Sequence, residues 1–404
     1  MVLLGQASAA WGQAVPMVGG GSQSAAAGSP LKLAVSVLSA AETATVAPGI
    51  APPEDGRVSL GLGYGHATRQ RSYDISVGSV VPYSMEFRKD LISYAGAFQF
   101  AARFGRRNVL EISESATDRP LDSTGLTGYS SGLPGGASDA LMNGASLTTA
   151  RELRSDGSIT LSHTISRRST ASVAFTHASS RSDGLVPAGS QIGSVRWERQ
   201  LSPSTGFHAG YGFGSISYAT AESAAGLRHD IDVGVDFSRP LPFSGRTVFE
   251  METGSTILTD SAGSKLRLVL RASLARDLAR RWSSRIEYSR PMQFVAGFGD
   301  PFLSDTVGLS VDGQLGRAWL LSISGGAARG SVGFNTGAPQ YDSYTTSVRL
   351  RRQIGRAWHV EAEAFSTRFR FTGTVPAGMT IPSKLERQGV RAGLSWSAGL
   401  FRRR

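Results

Sequence analysis

Val390-Arg391-Ala392-Gly393-Leu394-Ser395-Trp396-Ser397-Ala398-Gly399-Leu400 decides the fold: every second residue is apolar, and the residues between are glycine, serine or arginine. Successive side chains of a β-strand point to opposite faces, so this segment is a strand with one oily face and one small or charged face. The same alternation returns along most of the chain. Two architectures use it: a soluble sandwich turns the oily faces against each other, and a transmembrane barrel turns them outward to lipid around a polar lumen.

Working back from that strand, alternating segments fall near residues 31–38, 57–66, 71–80, 91–104, 107–116, 156–166, 169–179, 190–200, 205–219, 226–238, 246–258, 264–275, 281–290, 305–315, 318–331, 342–354, 357–371 and 388–401. That is eighteen strands, or sixteen if the weakest amino-terminal segments are discounted, and a bacterial single-chain barrel takes an even number. Helical periodicity is poor throughout. Tight and long connections alternate, the long ones at roughly 117–155, 181–189, 296–304, 333–341 and 373–387. This is the rhythm of an up-and-down barrel with one short-turn rim. Within the first long connection, the Gly-, Ser- and Thr-rich run Ser123 to Gly136 reads as an external loop, with a lid or plug as the alternative.

The turns test the reading independently of hydropathy. Leu315-Gly316-Arg317-Ala318-Trp319 and Ile354-Gly355-Arg356-Ala357-Trp358 are nearly the same three-residue hairpin. Pairing Ile354 with Trp358 sets Leu350 against Ala362 and Val348 against Ala364 on the oily side. The same register sets Arg351 against Glu361 and Arg349 against Glu363 on the other.

Charge complementarity continues along that second face. Asp230, Asp232 and Asp236 alternate with apolar residues, Glu250 and Glu252 follow on the next segment, and Lys265, Arg267 and Arg271 on the one after. Burying an unpaired ion costs several kcal/mol, so this face is expected to be hydrated. A sandwich would have to close one core from seventeen or more such strands, whereas a barrel has no such requirement. Trp282, Trp319 and Trp358 each begin a strand after a short turn, and Trp396 lies in the last strand. In a barrel these four rings belong at the membrane interface, where an amphipathic ring bridges lipid and headgroup.

Composition agrees. Over 404 residues with 49 glycines and no cysteine, no apolar run approaches the length of a membrane helix. A mean hydropathy of -0.10 suits strands that are apolar only at alternate positions. The missing cysteine excludes disulfides and thiolate metal sites. The formal charge of +11 comes almost entirely from arginine, spread over turns and polar strand faces rather than gathered into one arm. That distribution speaks against nucleic acid and for anionic lipid or polysaccharide. Residues 1–30 read as a signal-peptide remnant and flexible linker, with Ala7, Ala9, Gly12 and Ala14 as the small residues of a cleavage region, and 31–404 as one barrel.

No catalytic constellation stands out. His66, His163, His177, His208, His229 and His359 show no metal spacing, and there is no His-Glu-x-x-His helix or P-loop. His163, His177 and His229 fall in phase with apolar positions, as interface residues would. His359 lies on the polar face beside Glu361 and Arg351 and is the histidine to test for function. Gly61-Leu62-Gly63-Tyr64-Gly65 imitates a nucleotide loop but belongs to an alternating strand.

The stretches Phe298-Gly299-Asp300-Pro301-Phe302-Leu303-Ser304-Asp305, the two Gly-Arg-Ala-Trp hairpins, Gly330-Ser331-Val332-Gly333-Phe334 and Leu385 through Leu394 resemble porin-like outer-membrane β-barrel proteins of Gram-negative bacteria, a group often associated with exopolysaccharide or capsule export. The resemblance implies the outer membrane as location, lipid and lipopolysaccharide as surroundings, and delivery by the barrel-assembly machinery. The chain departs from the usual aromatic ending, because Phe401 is followed by Arg402, Arg403 and Arg404.

The sequence therefore predicts an all-β transmembrane barrel of about sixteen to eighteen antiparallel strands. Its expected role is a pore that passes or helps export a hydrophilic solute, with anionic polysaccharide as the candidate. Arg267, Arg271, Arg349, Arg351 and Arg391, balanced by Glu250, Glu252, Glu361 and Glu363, are expected to line the path and set selectivity. No catalysis, cofactor or resident metal is expected. The alternative is a closed structural or adhesion barrel acting through its external loops.

Overall fold

The computed structural model describes residues 31–45, 56–68, 70–83, 92–122, 146–182, 187–202, 204–217, 226–237, 239–241, 244–260, 263–279, 281–290, 292–293, 302–333, 340–355, 357–373 and 383–399. Every regular element among them is a β-strand. The first are β1 (Leu31–Thr45), β2 (Gly56–Ala67), β3 (Arg71–Tyr83), β4 (Ser93–Phe104), β5 (Asn108–Asp122), β6 (Ser146–Ser166) and β7 (Ser169–Ser182). Then come β8 (Ala188–Ser202), β9 (Thr205–Ser217), β10 (Gly226–Phe237), β11 (Arg239–Leu241), β12 (Ser244–Asp260), β13 (Gly263–Ala279) and β14 (Trp282–Ser289). The last are β15 (Met292–Gln293), β16 (Phe302–Leu315), β17 (Trp319–Val332), β18 (Gln340–Ile354), β19 (Trp358–Thr372) and β20 (Lys384–Gly399).

Each long strand pairs antiparallel with its sequence neighbours, and β1 pairs with both β2 and β20, from Lys32 opposite Gly399 to Thr45 opposite Glu386. That last ladder closes the sheet and removes its edges. β11 and β15, of three and two residues, pair only with β12 and β16, so the wall has eighteen staves.

One rim is built from tight turns. In two of them Gly316 and Gly355 hold φ of 74° and 75°, a left-handed conformation that a Cβ would disfavour. The pairs Leu315↔Trp319 and Ile354↔Trp358 close these hairpins as their sequences specify. The same rim holds the start of β1 and the end of β20.

Outside the wall the alternation is plain. Leu266 is 69 % exposed, Val195 57 % and Val390 56 %, while their neighbours in the chain point inward. So much aliphatic surface turned outward around a closed sheet is a lipid-facing wall.

The strands run further toward the long-loop rim than the hydropathy pattern implies. Residues 117–122 and 146–155, expected in a loop, are paired strand, with Thr117 opposite Arg154 and Pro120 opposite Arg151. Residues 302–304 and 384–387 are likewise strand. Alternating hydropathy marks only the part of a strand that faces lipid. Beyond it the hydrogen-bond ladder continues with polar side chains outside, and the period fades. The remainder of the first long connection, 123–145, and residues 1–30 lie outside the described residues.

Candidate pore lining

The register brings the expected inner charges together on β18, β19 and β20. Glu363 lies between Arg349 and Arg391, the Cα partner of each. Arg349 Nη2 donates to Glu363 Oε2 at 3.2 Å, and the Arg391 guanidinium stands 3.9 Å from the centroid of the Phe365 ring, a cation–π contact. Two residues nearer the tight-turn rim, Arg351 donates through Nε and Nη2 to Glu361 Oε2 at 3.3 and 3.2 Å. His359 follows Glu361 on the same face, as its phase requires.

A second group forms on β12, β13 and β14. Glu252 is the Cα partner of Arg271, as complementary neighbouring strands would have it. Arg271 donates Nε and Nη2 to Glu287 Oε1 at 2.9 and 2.8 Å. Glu250 accepts from Ser273 Oγ at 3.0 Å and lies 3.9 Å from Arg285. Arg267 spans further along the wall and donates to the Ser304 carbonyl at 3.1 Å. Glu287 and Arg285 belong to this lining but were not singled out from sequence. Their signal was there, since Arg285, Glu287 and Ser289 alternate with Ile286 and Tyr288.

A third group centres on Asp232. Arg196 Nη1 is 3.0 Å and His208 Nε2 is 2.9 Å from its carboxylate. Gly210 stands between Arg196 and Asp232 in the register, and the bare backbone lets the two meet across it. The His208 ring lies over Gly234, where an added Cβ would come within 2.8 Å of it. Glycines on this face make room for rings and ions.

The inner face is more closed than a uniformly hydrated wall. Glu250 keeps 55 % of its side chain exposed and Arg271 46 %, but Glu363 and Arg391 retain 6 % and 3 % and His208 none. Where these ions are withdrawn from water each has a partner, as the electrostatics of burial demands.

On the outer face, Trp282, Trp319, Trp358 and Trp396 all lie at the tight-turn rim. Trp358 and Trp396 are 6.4 Å apart, Arg352 sits 5.1 Å over the Trp319 ring, and Trp282 lies across Gly313. Trp197, packed edge-on against Phe207 at 6.1 Å, joins them. His163, His177 and His229, on the outward face as their phase requires, each have a neighbour there: His163 with Asn108 at 2.7 Å, His229 with the Tyr211 hydroxyl at 2.7 Å, and His177 with Glu114 at 3.3 Å.

A closed antiparallel wall of eighteen strands, oily outside and ionic inside, with its interfacial rings gathered at the short-turn rim, is an outer-membrane β-barrel. Solved structures are similar to it over most of the chain. Pseudomonas aeruginosa OpdL is 11 % identical, with 92 % of this chain and 99 % of that one covered and a TM-score of 0.46. Acinetobacter baumannii OccAB4 is 10 % identical, with 92 % and 98 % covered and a TM-score of 0.45. A mutant of the ferric enterobactin receptor PfeA from Pseudomonas aeruginosa is 9 % identical, with 92 % and 81 % covered and a TM-score of 0.42. No family model and no curated protein matches the sequence. With TM-scores below 0.5, the assignment rests on the closed register and its two faces.

Proposed function

We propose that the barrel is a pore that carries a hydrophilic, anion-bearing solute across the outer membrane, with anionic polysaccharide as the substrate class. The observation that carries this reading is the arginine-rich inner wall, in which Arg267, Arg271, Arg349, Arg351 and Arg391 project from β13, β18 and β20. Arginine at a pore wall attracts anions and orients carboxylates or phosphates in a planar fork. The Glu partners of Arg271, Arg349 and Arg351 temper the field, so the wall selects rather than traps. In this reading the protein is not an enzyme, and its ions act on the passing solute without bond chemistry. Reversal potentials in asymmetric salt test it: Arg349→Gln/Arg351→Gln should shift the permeability ratio toward cations by severalfold. Unchanged selectivity would remove these residues from the path.

The near-complete burial of His208, Glu363 and Arg391 favours a second reading, a barrel closed by its own side chains that acts through its external loops. Deleting residues 123–145 separates the two. A pore conducts as well or better without them, and an adhesion barrel loses its partner.

A further inference from the structure

The outer face of β17 to β20 changes character in register-matched rows. Ile323, Val348, Ala364 and Val390 form an apolar row; Gly325, Thr346, Ser366 and Gln388 a small or polar one; then come Ala327, Tyr344, Arg368 and Glu386. Last, beside the long-loop rim, stand Arg329, Asp342, Arg370 and Lys384. These ions share the outward phase of the apolar rows, so they do not belong to the lumen.

Four cations against two carboxylates leave a surplus of two positive charges in the last two rows. The internal pairs are loose and open to solvent. Arg329 lies 3.6 Å from Asp342 with 80 % of its side chain exposed, and Arg368 and Lys384, each 49 % exposed, share Glu386 at 3.2 Å. Among the described residues Arg370 has no acidic partner. Four strands at about 4.8 Å spacing make the patch some 15 Å wide, broad enough for more than one phosphate. Exposed pairs contribute about 0–1 kcal/mol each, so stability is a weak reason for the cluster.

Short turns mark the periplasmic side of such barrels and long loops the exterior, so these rows meet the headgroups of the outer leaflet. We propose that Arg329, Arg368, Arg370 and Lys384 hold the phosphates of a glycolipid of that leaflet, its saccharide against Tyr344 and its acyl chains on the apolar rows below. The proposal rests on the barrel and its orientation and is independent of whether the lumen conducts.

The test is retention of lipopolysaccharide by the full-length folded protein through detergent exchange, read by native mass spectrometry, with folding checked by heat-modifiable migration. The natural chain should retain it. Arg368→Ala/Arg370→Ala/Lys384→Ala should bind on the order of 100-fold more weakly, at about 1 kcal/mol per basic residue near an anionic surface. Arg370→Glu, which breaks no ion pair among the described residues, should weaken binding in the same direction without disturbing the fold. Arg368→Lys/Arg370→Lys should restore most of it. Equal retention by the folded charge-removed variants would overturn the proposal. So would equal competition by phosphatidylglycerol or by inorganic phosphate, because the site would then not be one for a phosphorylated glycolipid.

Discussion

Trp358 and Arg368 stand on the same outward face of β19, ten residues apart, and the same interval separates Trp319 from Arg329 on β17 and Trp396 from Glu386 on β20. At about 3.4 Å per residue and a tilt of about 40°, ten residues rise about 26 Å, against an apolar band of about 25 Å in barrels of this kind. The ring and the ion therefore mark the two edges of the lipid-facing wall. Tryptophan fluorescence in vesicles should be quenched more by bromines near the glycerol than by bromines at the bilayer centre. Stronger quenching by central bromines would displace the band.

Removing Glu363 should destabilise the barrel more than removing either arginine beside it. The carboxylate is 6 % exposed and lies between Arg349 and Arg391, so its loss leaves two cations facing each other in a poorly hydrated place. Breaking a buried pair by removing one partner costs roughly 3–5 kcal/mol. Urea unfolding in detergent of Glu363→Ala, Arg349→Ala and the double variant should show that loss and a coupling between the two sites.

Gly234→Ala should destabilise, and Gly96→Ala should be nearly silent. A Cβ at Gly234 meets the His208 ring and the Thr253 carbonyl at 2.8 Å, whereas at Gly96 the nearest atom is the Ser76 carbonyl at 3.8 Å. Overpacking of this kind costs about 1–3 kcal/mol. Heat-modifiable migration over a temperature series separates the two variants, and equal midpoints would show that the His208 ring has room to move.

Gly355→Ala should slow or weaken closure of the β18–β19 hairpin. Its φ of 75° puts a side chain in the left-handed region, at a cost of about 1–2 kcal/mol. Refolding yield into detergent, compared with a Gly254→Ala control whose Cβ finds its nearest atom at 3.5 Å, measures it.

Much of this architecture was legible in the sequence because the signal had a fixed period. Arg351 opposite Glu361 and Arg349 opposite Glu363 followed from one turn and the two-residue repeat, and both pairs form. Where the period fades, the sequence says less. β5 and β6 continue beyond the apolar band with polar residues on both faces, so their upper parts read as loop. Side-chain reach was also hidden: Arg271 stands opposite Ser289 on β14 and donates to Glu287, a diagonal neighbour that pairing alone does not pick out. The cluster of Arg196, His208 and Asp232 depends on Gly210, whose role is to be absent as a side chain.

The central claim is tested most directly by single-channel recording of the folded full-length protein in a planar bilayer with concentrated salt on both sides. The account predicts stable, uniform current steps whose anion preference falls in Arg349→Gln/Arg351→Gln. Silence from a protein shown by heat-modifiable migration and protease protection to be inserted would contradict it and leave the closed barrel as the reading.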